Sequence, residues 1–242
     1  MDAQGAAARA GAVELDRRPR PAAGSGRGAS PRLRVLLALV ALLGSAALAI
    51  APTRTAILRT AGRTLVVEDV LAPADVIVVS TGADGAGVLE AVDLVRAGVA
   101  SRVAVFSDPP DPVVDREFLR RGVPYEDAAA RAIRQLRALG VEGVEQIPRV
   151  VAGSEDEALA IPEWSRPLRL RSVLLVTTAD HTRRLRRMLR RSMKGHETRV
   201  TVRAARFSPF DPEAWWQTRE GARTGVIELQ KLILDVALHP LS

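Results

Sequence analysis

"ADVIVVSTGADGAGVLEAVDLVRAG", residues 74 to 98, decides the fold of this chain. The β-branched run Val76–Val79 reads as a strand with no polar face, and "STGADGAG" ends it. "GVLEAVDLVRAG" then sets apolar residues at the i, i+3, i+4 spacing of a helix that stops at Gly98. A strand that is apolar on both faces must be covered on both, and one that leads directly into a helix belongs to a βα unit. Together these features predict a parallel sheet between two helical layers.

The same alternation continues downstream. "RVAVFSD" (102–108) is a second strand broken by "PPDP", after which "DREFLRRGVP" and "EDAAARAIRQLRALG" read as helices around the stop Gly122-Val123-Pro124. "VEQIPRVV" (144–151) is a weak third strand, "SEDEALAIPEW" (154–164) a short helix and "SVLLVTT" (172–178) a fourth, clear strand. "TRVTVRAA" supplies the last strand, and "PEAWWQTREGARTGVIELQKLILDVAL" a long C-terminal helix. The expectation is a Rossmann-like three-layer α/β sandwich over residues 73–242, with no internal repeat.

The N-terminal third is organised differently. Residues 1–32 are Ala, Gly, Pro and Arg with few large apolar residues, a composition that cannot bury enough surface to order itself. From Val35 the run "VLLALVALLGSAALAIAP" has the character of a membrane-spanning helix over 33–52, followed by a linker at 53–72. Arg17, Arg18, Arg20, Arg27, Arg32 and Arg34 precede the run, whereas Arg54, Arg59 and Arg63 follow it. The positive-inside rule then places the basic tail in the cytoplasm and the α/β domain outside, behind a single-pass signal anchor. "ALA" at 47–49 also has the form of a signal-peptidase site, so export after cleavage is the alternative.

Composition narrows the chemistry. The 242 residues hold no cysteine, which excludes disulfides, thiolate metal sites and a cysteine nucleophile. Net charge is +7, but the arginines are spread over the tail and several helices, aromatic residues are 3% of the chain, and no DNA- or RNA-binding module is recognisable. Nucleic acid is therefore not the expected partner. No His-rich or His/Asp spacing argues for a metal.

In a parallel α/β sheet the ligand crevice lies beyond the carboxyl ends of the strands. Thr81, Gly82 and Asp84 follow the first strand, Ser107 ends the second, Ser154 and Glu157 follow the third, and Thr177, Thr178, His181, Arg183 and Arg184 end the fourth. Hydroxyls, backbone amides at helix starts and guanidinium groups suit a phosphate or carboxylate. His181 is the candidate general acid or base, because imidazole changes charge near neutral pH.

Each of these residues has a plainer reading as well. Ser154 reads as an N-cap with Glu157 completing a capping box. Asp84 between two glycines suits a turn, His181 at a strand-to-helix junction can cap or pack, and Arg186, Arg187, Arg190 and Arg191 suit a solvated helix face. Of the adjacent Trp215 and Trp216, one packs and the other lines a pocket or rim.

"ADVIVVSTGADG", "LVRAGVASRVAVFSD", "RRGVP", "GSEDEALAIPEW", "SVLLVTTADHTRRLRRMLRR", "FDPEAWWQTREG" and "ELQKLIL" stand in an order and spacing that resembles YdcF/SanA/ElyC-like proteins over roughly residues 72–236. The resemblance implies a Rossmann-like fold, usually behind one N-terminal membrane helix, and a role in cell-envelope integrity or in surface-polysaccharide and peptidoglycan precursor pathways. No settled reaction comes with it. The chain departs from the pattern in its first loop, where Leu89 and Glu90 lie in the region of an expected arginine, and at Ser154, where threonine is common. Two functions follow. One is a membrane-anchored enzyme acting on a phosphorylated or lipid-linked precursor, with His181 as acid or base; the other is a non-catalytic ligand-binding or scaffold domain. Cofactor and oligomeric state stay open at this level.

Overall fold

The computed structural model describes residues 31–49, 51–109 and 111–240. The chain divides into two units, 1–47 and 48–242. Most of the expected basic tail lies outside the described residues. Helix α1 (Pro31–Ala49) exposes Leu33, Val35, Leu36, Leu39, Val40 and Leu42. Among the described residues no helix is long and apolar enough to cross a membrane.

The larger unit is the expected α/β sandwich. Strands β1 (Val76–Val79), β2 (Arg102–Ser107), β3 (Gly143–Val150), β4 (Ser172–Thr177) and β5 (Arg199–Ala204) form one sheet in the order β3-β2-β1-β4-β5. Every pairing in it is parallel. Because side chains alternate across a strand, β1 sends Ile77 and Val79 to one core and Val76 and Val78 to the other. Helices α3 (Asp84–Arg96) and α5 (Ala128–Ala138) cover the first face through Val88, Ala91, Val92 and Leu136. Helices α6 (Ser154–Ser165) and α7 (Thr182–Ser192) cover the second through Ala158, Ile161, Leu185 and Leu189. A Cβ at Gly87 would come within 2.8 Å of Val79, so glycine sets how closely α3 approaches β1. The weak third strand is an edge strand, which tolerates Pro148 and a register shift against β2. Helix α4 (Pro112–Arg120) between β2 and α5 buries none of its residues.

Two expectations need correction. Residues 53–72 are not simply a linker: helix α2 (Ala51–Leu65) packs against the long C-terminal helix α8 (Arg219–Leu238), and Leu65, Ala179, Ala204, Phe210, Trp215 and Leu232 make a third core there. Trp215 is the packing tryptophan and donates from Nε1 to the Leu58 carbonyl at 2.8 Å. Trp216 lies edge-on to it, half-buried at the margin of this core. Arg186, Arg187 and Arg191 are not a free solvated face either, since Arg186 pairs with Asp69, and Arg187 and Arg191 both reach Asp235 at 2.6 Å.

Candidate functional site

The chain runs outward from β1 through β2 to β3, then crosses back to place β4 on the other side of β1. Their connections leave in opposite directions, which opens a crevice at the carboxyl ends of β1 and β4. Both strands end in a one-turn 3-10 segment, Thr81–Ala83 after β1 and Ala179–His181 after β4. A cleft of about 570 Å³ occupies the crevice, walled by the β1 loop (Ser80–Gly82), the start of α6 (Ala152–Asp156), His181 and Arg184 at the head of α7, and α8.

The β1 loop is fixed from behind by Glu157. Its buried carboxylate accepts from Ser80 Oγ (2.8 Å), Thr81 N (2.8 Å) and Thr81 Oγ1 (2.6 Å). This is where the side chain goes in place of the expected capping box. Gly153, at φ 151°, precedes the helix, Ser154 is its first residue and makes no cap bond, and Asp156 instead accepts from Ala152 N at 3.0 Å. Ser154 lines the cleft, with Arg184 Nη2 at 3.4 Å from its Oγ.

The charged centre of the cleft is Glu228 of α8. Gly221, Gly225, Glu228 and Leu232 form the buried stripe of that helix, so the carboxylate is carried inward. Lys231 Nζ lies 2.8 Å from Oε1, while Arg184 Nε lies 3.0 Å and His181 Nδ1 2.9 Å from Oε2. The His181 contact is short but off the axis of a straight Nδ1–H donor, so the carboxylate faces Nδ1 without an aligned hydrogen bond. Burial pushes the Glu228 pKa up; His181, Lys231 and Arg184 outweigh it and hold the group at about 2. The imidazole edge carrying Cδ2 and Nε2 faces Gly82, 3.6 Å from where a Cβ would stand, and 23% of the side chain is exposed. An imidazole with the Glu228 carboxylate at Nδ1, and with Nε2 at the cleft wall 3.7 Å from Asp180 Oδ2, can exchange a proton with a bound molecule.

The other predicted residues separate into walls, supports and outliers. Thr81, Gly82, Ser154, His181 and Arg184 line the cleft, and Glu157 supports it. Ser107 is buried behind it, accepting from Gln146 Nε2 and, through its carbonyl, from Val151 N at 2.8 Å. Thr177 and Thr178 are buried with hydroxyls that have no partner. Asp84 is exposed at φ 42°, outside the cleft walls. Arg183 turns the other way and donates to the carbonyls of Thr64 and Val66, capping the end of α2.

Sequence reading missed the contribution of α8: Glu228, Lys231, Leu234, Asp235, Leu238 and His239 all belong to the cleft or its charge network. The available signal was Glu228 on the apolar stripe of "GVIELQKLIL", with Lys231 one turn on. Among the described residues no group of three His, Cys, Asp or Glu is placed to hold a metal. No family model, curated protein or solved structure matches the chain.

Proposed function

We propose that the cleft binds a phosphorylated, lipid-linked envelope precursor and that His181 performs general acid–base chemistry on it. The observation that carries this reading is the buried Glu228 carboxylate against Nδ1 of His181, with the Nε2 edge turned to the cleft. A carboxylate facing Nδ1 favours the tautomer with its proton there, which leaves the Nε2 lone pair to accept one from water or a substrate hydroxyl. Arg184 and Lys231 flank the same carboxylate and offer N–H donors to an anionic head. Met188, Leu234 and Leu238 give the cleft an apolar wall suited to an alkyl chain.

The resemblance to YdcF/SanA/ElyC-like proteins supports a place in the cell envelope. The uncharged run Val35–Thr53, the apolar side chains exposed on α1 and the arginines before them support a membrane anchor with the α/β domain on the extracytoplasmic side. A second reading, a binding domain without turnover, is favoured by one observation: the β1 loop from Ser80 to Gly87 brings no cation to the cleft. Calorimetric titration of the full chain in neutral detergent with farnesyl phosphate tests the shared premise. Saturable binding that weakens in Arg184→Ala is expected, and absence of saturable binding overturns both readings. Release of inorganic phosphate or an exchanged head group, lost in His181→Ala while binding persists, selects the enzyme.

A further inference from the structure

The opposite end of the sheet carries a second polar cavity. About 580 Å³ in volume, it is framed by Arg166, Arg169, Arg171, His196, Glu197 and Thr198, next to the amino ends of β4 and β5. Several arginines of the α/β domain are paired with carboxylates: Arg102 with Glu145, Arg134 with Glu126, Arg149 with Glu163, and Arg203 and Arg206 with Glu90. Among the described residues, Arg166, Arg169 and Arg171 instead line one cavity, with Glu197 also in its wall, and none of the three is in an ion pair with a carboxylate. The nearby carboxylate of Asp75 is occupied by backbone donors, Arg171 N at 2.6 Å and Ser172 N at 2.9 Å. Arg166 rests on the His196 ring, with Nη2 3.2 Å from Nε2.

Arg169 adds a separate observation. Its φ is 53°, in the left-handed region that glycine enters freely and other residues seldom adopt. The turn thus carries an arginine at the cavity wall where glycine would fit the backbone better.

We propose that this cavity is a binding site for a phosphate anion, distinct from the cleft at the carboxyl ends. Guanidinium groups donate in forks that match phosphate oxygens, and unpaired arginines gathered in a concave surface attract such an anion at long range. The phosphate can belong to a free oligophosphate or to an anionic lipid head group, since the recognised chemistry is the same.

The test is calorimetry of the full chain in neutral detergent with inorganic pyrophosphate, alongside sedimentation with phosphatidylcholine vesicles with and without phosphatidylglycerol. The key variant, Arg169→Gly combined with Arg171→Gln, removes two charges while easing the backbone at 169, so its melting temperature should not fall. Wild type should bind pyrophosphate, or the anionic vesicles in preference to the neutral ones, and the double variant should lose at least tenfold in affinity for whichever is bound. Pyrophosphate binding alone identifies a free phosphate as the source, and a preference for the anionic vesicles alone a head group; either supports the site. Arg184→Gln should leave this binding in place. The proposal is overturned if neither probe binds wild type, if the double variant binds unchanged, or if Arg184→Gln alone abolishes binding, which would put the phosphate in the cleft.

Discussion

Glu228 on α8 holds His181 on the β4–α7 turn, with 2.9 Å between Oε2 and Nδ1. The two residues are 47 positions apart in the sequence. The contact joins the end of a central strand to the C-terminal helix, so the imidazole is oriented by a carboxylate that the same helix buries.

The acid limb of stability should report this carboxylate. Its folded-state pKa of about 2 lies below the ordinary 4.5, so its contribution is fully present above pH 4.5 and is lost as pH falls toward 2. By linkage the shift corresponds to about 3 kcal/mol, taken as an order of magnitude. Glu228→Gln should remove that contribution at neutral pH and flatten the fall in unfolding free energy between pH 4.5 and 2. A denaturation series across that range that is superimposable on wild type would contradict the assignment.

Arg183 and Arg184 should behave differently despite being adjacent. Arg184 faces the cleft, so Arg184→Ala is expected to weaken farnesyl phosphate by about 1.5 to 3 kcal/mol, the value of a charge-assisted hydrogen bond. Arg183 caps α2, so Arg183→Ala should leave affinity unchanged and reduce stability by about 1 kcal/mol. Titration and urea denaturation of both variants check the pair of outcomes together.

The β1 loop depends on a single buried acceptor. Glu157→Ala removes the partner of three donors, and with hydrogen bonds to a carboxylate worth about 1.5 to 3 kcal/mol each, a loss of several kcal/mol is expected if they act independently. The Thr81 amide should then exchange its hydrogen faster than in wild type, by a larger factor than amides of β5. Unchanged protection at Thr81 would show that the loop is held by something else.

Docking of α2 rests on two glycines. A Cβ at Gly62 would collide with the Pro212 carbonyl, and one at Gly225 with the Trp215 ring. Gly62→Ala and Gly225→Ala should each destabilise by about 1 to 3 kcal/mol, as overpacking does, with the Trp215 fluorescence altered before global unfolding. Wild-type midpoints for both would contradict the packing at this third core.

The strands were legible because burial on both faces writes unbroken apolar runs such as Val76–Val79 and Val173–Val176 into the chain. Helix α2 was not: Leu58, Ala61 and Leu65 stand at helical spacing on its packed face, but the threonines and arginines of "APTRTAILRTAGRTL" and the close backbone approach at Gly62 dilute that stripe. The direction of Arg183 and Arg184 depends on where α2 ends and where α8 lies, neither of which is local to them. Glu157 showed its place at a helix start but not its target, since Ser80 and Thr81 reach it only after β1 and α6 are set side by side. Glu228 looked like an ordinary helix charge for the same reason: beyond Lys231 on its own helix, its partners Arg184 and His181 come from α7 and from the turn before it.

The most direct test of the account is nitrogen-15 NMR of the His181 ring, assigned by substitution among the chain's 3 histidines, during titration with farnesyl phosphate. The predicted result at alkaline pH is a ring carrying its proton at Nδ1 before ligand, an Nε2 resonance that moves saturably as ligand is added, and loss of the Nδ1 preference in Glu228→Gln. A ring protonated at Nε2, or ring signals that stay still while the ligand binds, would contradict it.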